Sequence, residues 1–298
     1  MAGAQLQRRL TLVNTLDPDT RAMWTDVEMA WPDLPWEDAA FRHGAFHHVA
    51  VLGTSTVVRV ASGSEHSRRT QSEHQNLRIL AAMDLPFRIP VALSEPRSGP
   101  AWSAQLTSFV PGDHRTGLSW ADVREPLDVV LAGFRGAGQP PGPLRPVRQS
   151  CGGEHWPGVV DRILHPLDRA TRTAAGRAVA NVLDAESAAG TTLVHGDFGL
   201  HNIMWTGTQL SGVVDLDNAC IGDPAIDLAP LIGAFGSSKV ADLADQDTIA
   251  RARTHRASLP LQVAAAAELV NDSKLRDFAL GNFQARFLTG TLEDPDQG

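Results

Sequence analysis

Apolar and polar positions along this chain change rhythm several times, and each change marks a different kind of element. From Ala4 to Leu34 apolar residues recur at roughly helical spacing among charged ones, with Asp17-Pro18-Asp19-Thr20 as a turn and helix-start signal, which predicts a helical cap. From Ala39 the rhythm shortens. Residues Gly44 to Leu52, the turn Gly53-Thr54-Ser55 and residues Thr56 to Val60 predict a hairpin of β-branched strands. Ser67 to Met83 is polar and helix-permissive, with Leu77, Ile79, Leu80 and Met83 as its apolar face. Arg88 to Leu93 and Trp102 to Val110 predict two more strands, closed by Pro111-Gly112-Asp113.

The second part of the chain has a different texture. Gly136 to Gly153 is rich in Gly and Pro and predicts the main loop. Val159 to Leu167 and Ala174 to Ala185 predict helices, Leu210 to Val214 a strand, and Ala225 to Leu292 mostly helix. The expectation is an α+β fold of two lobes. Residues 1–110 form a small N-terminal β-sheet lobe with one packed helix and a helical cap over 1–35, and residues 111–298 form a larger, mostly helical lobe.

Composition narrows the class. The 298 residues are 43% hydrophobic and 20% charged, and no apolar run approaches the ~20 residues of a membrane span. The first residues lack an apolar core of the secretory kind, so a cytoplasmic protein is expected. A formal charge of −8 argues against duplex nucleic acid, where basic surface supplies most of the affinity, and suits a cationic partner. Cys151 and Cys220 have no metal-ligand spacing and are expected as reduced thiols. Lys239 and Lys274 are the only lysines, so any upstream site that needs a cation must use arginine.

Candidate chemistry gathers between Leu193 and Ala229. Moving a phosphoryl group to an alcohol requires a base for the hydroxyl proton, a divalent cation among the phosphate oxygens and a further positive charge on the remaining phosphates. Asp197 lies in a turn after an apolar strand, where its carboxylate can face a cleft. Asn202 follows five residues on, and Asp215 ends the next strand; both offer the oxygen donors that Mg²⁺ favours.

His195-Gly196-Asp197 with Asn202, then Asp215, then Gly222-Asp223-Pro224 with Asp227-Leu228-Ala229, resemble the motifs of the aminoglycoside phosphotransferase family, which shares the bilobal fold of protein kinases. The resemblance implies Asp197 as catalytic base, Asn202 and Asp215 as Mg²⁺ ligands, Asp227 as a buried brace of the catalytic loop, and a structural role for His195. It also implies that Arg59 pairs with Glu73 to hold the phosphates of ATP or GTP. Kinases generally use lysine there, so arginine is a departure, and Arg68 or Arg69 are alternatives. The loop at Gly44 takes the glycine-rich position, and Ser108 and Val110 the hinge that meets the purine edge. His47 and His48 could touch nucleotide, but as strand neighbours they point to opposite faces, which excludes a two-ligand metal site, and a structural role is expected. The Gly-x-Phe-His-His-Val segment at 44–49 and the residues 84–90 are similar to features of viomycin- and capreomycin-type phosphotransferases. The function implied is phosphorylation of a cationic antibiotic, aminoglycoside or cyclic peptide, giving resistance, with Asp217, Asp223 and Glu154 on the acceptor side. Rival readings are a macrolide phosphotransferase, a metabolic kinase for an amino alcohol or sugar, and a pseudokinase that binds without transfer.

Overall fold

The computed structural model describes residues 17–44, 46–115 and 117–297, so the predicted cap before Asp17 and the loop residue Ala45 lie outside the described residues. The cap signal at Asp17 is fulfilled locally. The Asp17 carboxylate accepts from the N–H groups of Asp19 and Thr20 at 3.1 and 3.0 Å, and Pro18 opens helix α1, Pro18–Ala30.

Five antiparallel strands follow in the N-terminal lobe: β1 (Ala39–His43), β2 (His48–Leu52), β3 (Thr56–Ser62), β4 (Arg97–Ser98) and β5 (Trp102–Ser108), in the spatial order β1-β2-β3-β5-β4. Helix α2, His66–Ala81, sits between β3 and β4 in sequence and packs on the sheet. The predicted hairpin is β2–β3, paired from His48↔Val60 to Leu52↔Thr56, and β1 extends the sheet ahead of it. Residues 88–93 correct the expectation of a full strand. Regular pairing shrinks to the bridge Ala92↔Thr107, with Leu93 N–H on Leu106 O and Ser108 N–H on Val91 O at 2.8 Å each, because serine hydroxyls take the N–H groups that a full ladder would use: Ser108 Oγ accepts from Val91 N–H at 2.9 Å and Ser94 Oγ from Leu106 N–H at 3.1 Å.

The C-terminal lobe begins with helix α3, Trp120–Gly136, which the expectations above do not include although Val123, Leu127, Val130, Leu131 and Phe134 recur along it at helical spacing. Its signal is Ser119-x-x-Asp122, a capping box in which Asp122 accepts from the N–H and hydroxyl of Ser119 at 3.1 and 2.6 Å. Helices α4 (Trp156–Ile163) and α5 (Arg169–Ala188) follow the Gly/Pro loop. Two small hairpin-like pairs then carry the motif region: β6 (Thr192–Val194) with β9 (Cys220–Gly222), and β7 (Ile203–Thr206) with β8 (Gln209–Val213). Helices α6 (Ala225–Phe235), α7 (Ser237–Val240), α8 (Gln246–Leu269) and α9 (Ser273–Leu288) complete the lobe. No helix among the described residues is long and apolar enough to cross a membrane. Cys151 and Cys220 are free and buried, and burial pushes both thiols up to about 12.

One core serves the motif region directly. Leu127, Val130, Leu131 and Phe134 of α3 pack with Leu193, Phe198, Ile203 and Val213. Phe134 meets Phe87 edge-on at 5.0 Å and lies 6.2 and 6.4 Å from the rings of His195 and Phe198. Phe134→Ala should therefore cost about 3–5 kcal/mol, read as a lower urea midpoint with an unchanged denaturant slope.

Candidate active site

Strand β6 runs into the turn His195-Gly196-Asp197, and the first turn of α6 comes back to hold it. Asp227 accepts from the backbone N–H of His195 at 2.7 Å and of Gly196 at 2.9 Å. Burial raises the Asp227 pKa, and these two N–H bonds, with His195, oppose the rise. His195 Nδ1 accepts from Asp197 N–H at 3.2 Å, which leaves Nε2–H to donate to Val214 O at 2.9 Å. One imidazole thus ties the Asp197 turn to the end of β8. Gly196 has φ +83° and packs so closely on the next turn that a Cβ would come 2.2 Å from Asn218 O.

Asn202 closes a 3₁₀ turn, with its N–H donating to Gly199 O at 2.9 Å. Its Nδ2 donates to Asp197 O at 2.9 Å, so the oxygen end of the amide is the end left to meet a cation. Asp197 keeps its carboxylate 44% exposed toward the cleft. Beside it stands His201, a residue the motif reading passed over. Its Nε2 lies 3.7 Å from Asp197 Oδ2, and that interaction raises the His201 pKa. The ring folds back over Gly199, where a Cβ would come 2.4 Å from Cε1, so the second glycine of the loop is the detectable signal for this arrangement.

Asp215 ends the β8 segment in the left-handed region, φ +63°, an uncommon conformation for a residue with a side chain. There it meets Arg59 of β3. Arg59 Nε donates to Glu73 Oε1 at 2.5 Å, and Nη2 donates to Asp215 Oδ1 at 3.0 Å and Asp217 Oδ2 at 2.9 Å. Arg59 is thus the cation that pairs with Glu73 of α2. Arg68 is exposed beside Glu65, and Arg69 donates to Phe46 O at 2.8 Å. Burial works against the Arg59 charge, but Asp217, Glu73 and Asp215 together outweigh it and hold the guanidinium proton more firmly than usual. Three carboxylates on one guanidinium leave an excess of negative charge, and the cluster relieves it by keeping a proton. Burial, reinforced by Asp217, pushes Glu73 up to about 8 against the pull of Arg59. His47 Nε2 faces the same two carboxylates, 3.5 Å from Glu73 and 3.6 Å from Asp217, and burial lowers its pKa well below the usual value. His48 turns away and stacks on His43, with ring centroids 4.4 Å apart.

The remaining expected residues divide. Ser108 and Val110 lie where β5 leaves the sheet, and Phe109 N–H between them donates to Ser55 O at 2.9 Å. Gly44 donates its N–H to His47 O at 2.9 Å, so that amide closes its own loop. Asp217 is buried on Arg59, and Asp223 is buried on Arg251 and His255 at 2.9 and 3.3 Å. The structure thus places both among internal ion pairs. Glu154 is exposed on the 3₁₀ turn Gly153–His155. The Asp223 pair belongs to a longer chain that no motif announced: His255 Nδ1 lies 3.9 Å from Glu186, which takes both ends of the Arg148 guanidinium.

Residues 37–261 match the family described as APH, the phosphotransferase enzyme family. The viomycin phosphotransferase of Streptomyces vinaceus is 31% identical over 253 residues, 76% of this chain and 86% of that protein. Among solved structures, the GDP and kanamycin complex of an APH(2″) enzyme has a TM-score of 0.68 at 15% identity, covering 90% of this chain and 99% of that one. A ternary complex of an APH(4)-Ia variant with AMP-PNP and hygromycin B has a TM-score of 0.62 at 15% identity, covering 89% and 97%. These two likenesses show the fold.

The buried carboxylate cluster has a pH signature. The folded protein holds the Glu73 proton up to about 8, whereas the unfolded chain releases it near 4.5, so between those values the unfolded chain binds fewer protons and stability falls as pH rises. Denaturant titrations of Glu73→Gln should lack this component. Relative to the variant, the native chain should lose on the order of a few kcal/mol between about pH 5 and about pH 8.

Proposed function

The chain belongs to the phosphotransferase enzyme family, and from that premise we propose that it moves the γ-phosphoryl group of ATP or GTP to a hydroxyl of a cationic antibiotic, a cyclic peptide of the viomycin kind or an aminoglycoside, and so confers resistance. The observation that carries this reading is the convergence of Asp197, Asn202 and Asp215 on one cleft edge, with Arg59 reaching Asp215 from the other lobe at 3.0 Å.

Each residue has a task its geometry supports. Asp197, fixed by the His195 and Asn202 bonds but open to solvent, orients the acceptor hydroxyl and takes its proton as the new oxygen–phosphorus bond forms and the β–γ bridging bond breaks. Asn202 presents its amide oxygen and Asp215 a carboxylate that is 42% exposed, hard oxygen donors of the kind Mg²⁺ accepts alongside phosphates. When bound there, Mg²⁺ would supply charge neutralisation at the phosphate oxygens. Arg59 brings its charge to the phosphate side of the cleft with only its Nη1 corner outside the carboxylate pairs, and the Ser108 carbonyl and Val110 N–H meet the purine edge.

For the acceptor, the likeness to a viomycin-modifying enzyme and the charge of −8 both favour a polycation. Asp217 and Asp223 are spent on Arg59 and Arg251, so of the three acidic candidates Glu154 is the one whose carboxylate remains exposed to an ammonium group.

Nucleotide consumption across a panel of viomycin, capreomycin, aminoglycosides, macrolides, choline and homoserine, with ATP and with GTP, tests the acceptor. Turnover is expected with a cationic antibiotic, and turnover confined to the metabolites would reassign the chain to metabolism. Asp197→Ala should lower kcat by at least about 100-fold while nucleotide affinity persists; a full rate in that variant would remove the base assignment.

A further inference from the structure

Two groups that ordinarily bind nucleotide phosphates are already occupied in this cleft. Arg59 spends Nε on Glu73 at 2.5 Å and Nη2 on Asp215 and Asp217 at 3.0 and 2.9 Å, and among the described residues only its Nη1 corner takes part in no hydrogen bond. A guanidinium grips phosphate best through two parallel N–H groups, and this one has lost that option. The loop before β2 has a single glycine, and the Gly44 N–H is turned onto His47 O at 2.9 Å. A loop that cradles phosphate does so with free backbone amides.

His47 stands where the shortfall arises. Its Nε2, the Glu73 carboxylate and the Asp217 carboxylate lie within 4.8 Å of one another, around the guanidinium of Arg59. The Asp217 carboxylate beside Nε2 is an acceptor, so this nitrogen carries the hydrogen. Its contacts at 3.5 and 3.6 Å exceed ordinary hydrogen-bond length, so the N–H has near neighbours but no tight partner to surrender. The adjoining Phe46 fixes the direction: its ring packs against the core cluster of the C-terminal lobe, and Arg69 Nη2 holds its carbonyl at 2.8 Å.

We propose that His47 is a nucleotide-phosphate contact, its imidazole N–H doing for this chain what the occupied Arg59 fork and the single-glycine loop cannot. The inference rests on the phosphotransferase reading of the same cleft. It assigns to a side chain a task that backbone amides perform in a glycine-rich loop.

Binding titrations separate a phosphate contact from a structural one. For His47→Ala, affinity for ADP or GDP should fall about tenfold or more, while affinity for adenosine or guanosine stays at the native value. The KM for the triphosphate should rise with kcat largely kept, and His47→Gln, which restores an N–H donor, should recover much of the loss. Equal loss for nucleoside and diphosphate, or no loss for either, would overturn the proposal. Where truncation lowers the unfolding midpoint, His47→Leu repeats the comparison with the bulk retained and the donor removed. A native chain that bound no nucleotide at all would instead overturn the phosphotransferase reading itself.

Discussion

The guanidinium of Arg59 is the point at which the two lobes are electrically joined. It rises from the sheet, takes Glu73 from the packed helix and reaches two carboxylates of the Asp215-Leu216-Asp217 turn in the other lobe. A buried charge of this kind is tolerable only when fully paired, because leaving water costs several kcal/mol per ion. The sheet, α2 and the turn after β8 are therefore mutually dependent: displacing any one of them strands a charge inside the protein. Asn76 of α2 reinforces the same seam by donating to Ala219 O at 2.9 Å.

Arginine in this place has a geometric meaning. A lysine would offer one point of charge, whereas the planar fork can address three carboxylates in different directions. The third of them, Asp217, sits two residues beyond Asp215 on the 3₁₀ turn Leu216–Asn218, which curls its side chain back toward β3. The arginine and the extra carboxylate answer each other, and an exchange of Arg59 for lysine would leave Asp217 and Asp215 competing for one ammonium.

How much of this was legible in the chain depends on whether the information was local. Asp197, Asn202 and Asp215 are set by short turns, so their spacing alone brings them to one place. The strands β2, β3 and β5 and helix α2 likewise follow from side-chain rhythm. Helix α3 was legible as well, in the helical spacing of Val123, Leu127, Val130, Leu131 and Phe134 and in its capping box, and only Pro126 inside it spoke against a helix. The partners of Asp217 and Asp223 were illegible. Each is neutralised by an arginine far along the chain, and a carboxylate that is solvated looks the same in sequence as one that is buried. His201 was overlooked because its place depends on the absence of a side chain at Gly199.

The contact between Gly196 and Asn218 has a consequence for how the site fails. The His195-Gly196-Asp197 turn and the Asp215 turn press together with only a glycine's hydrogen atoms between them, and His195 stitches the same two segments through Val214. Neither turn can open locally while the other keeps its shape. The Asp197 and Asp215 carboxylates thus lose their places in a single cooperative event, and a partly melted chain keeps neither.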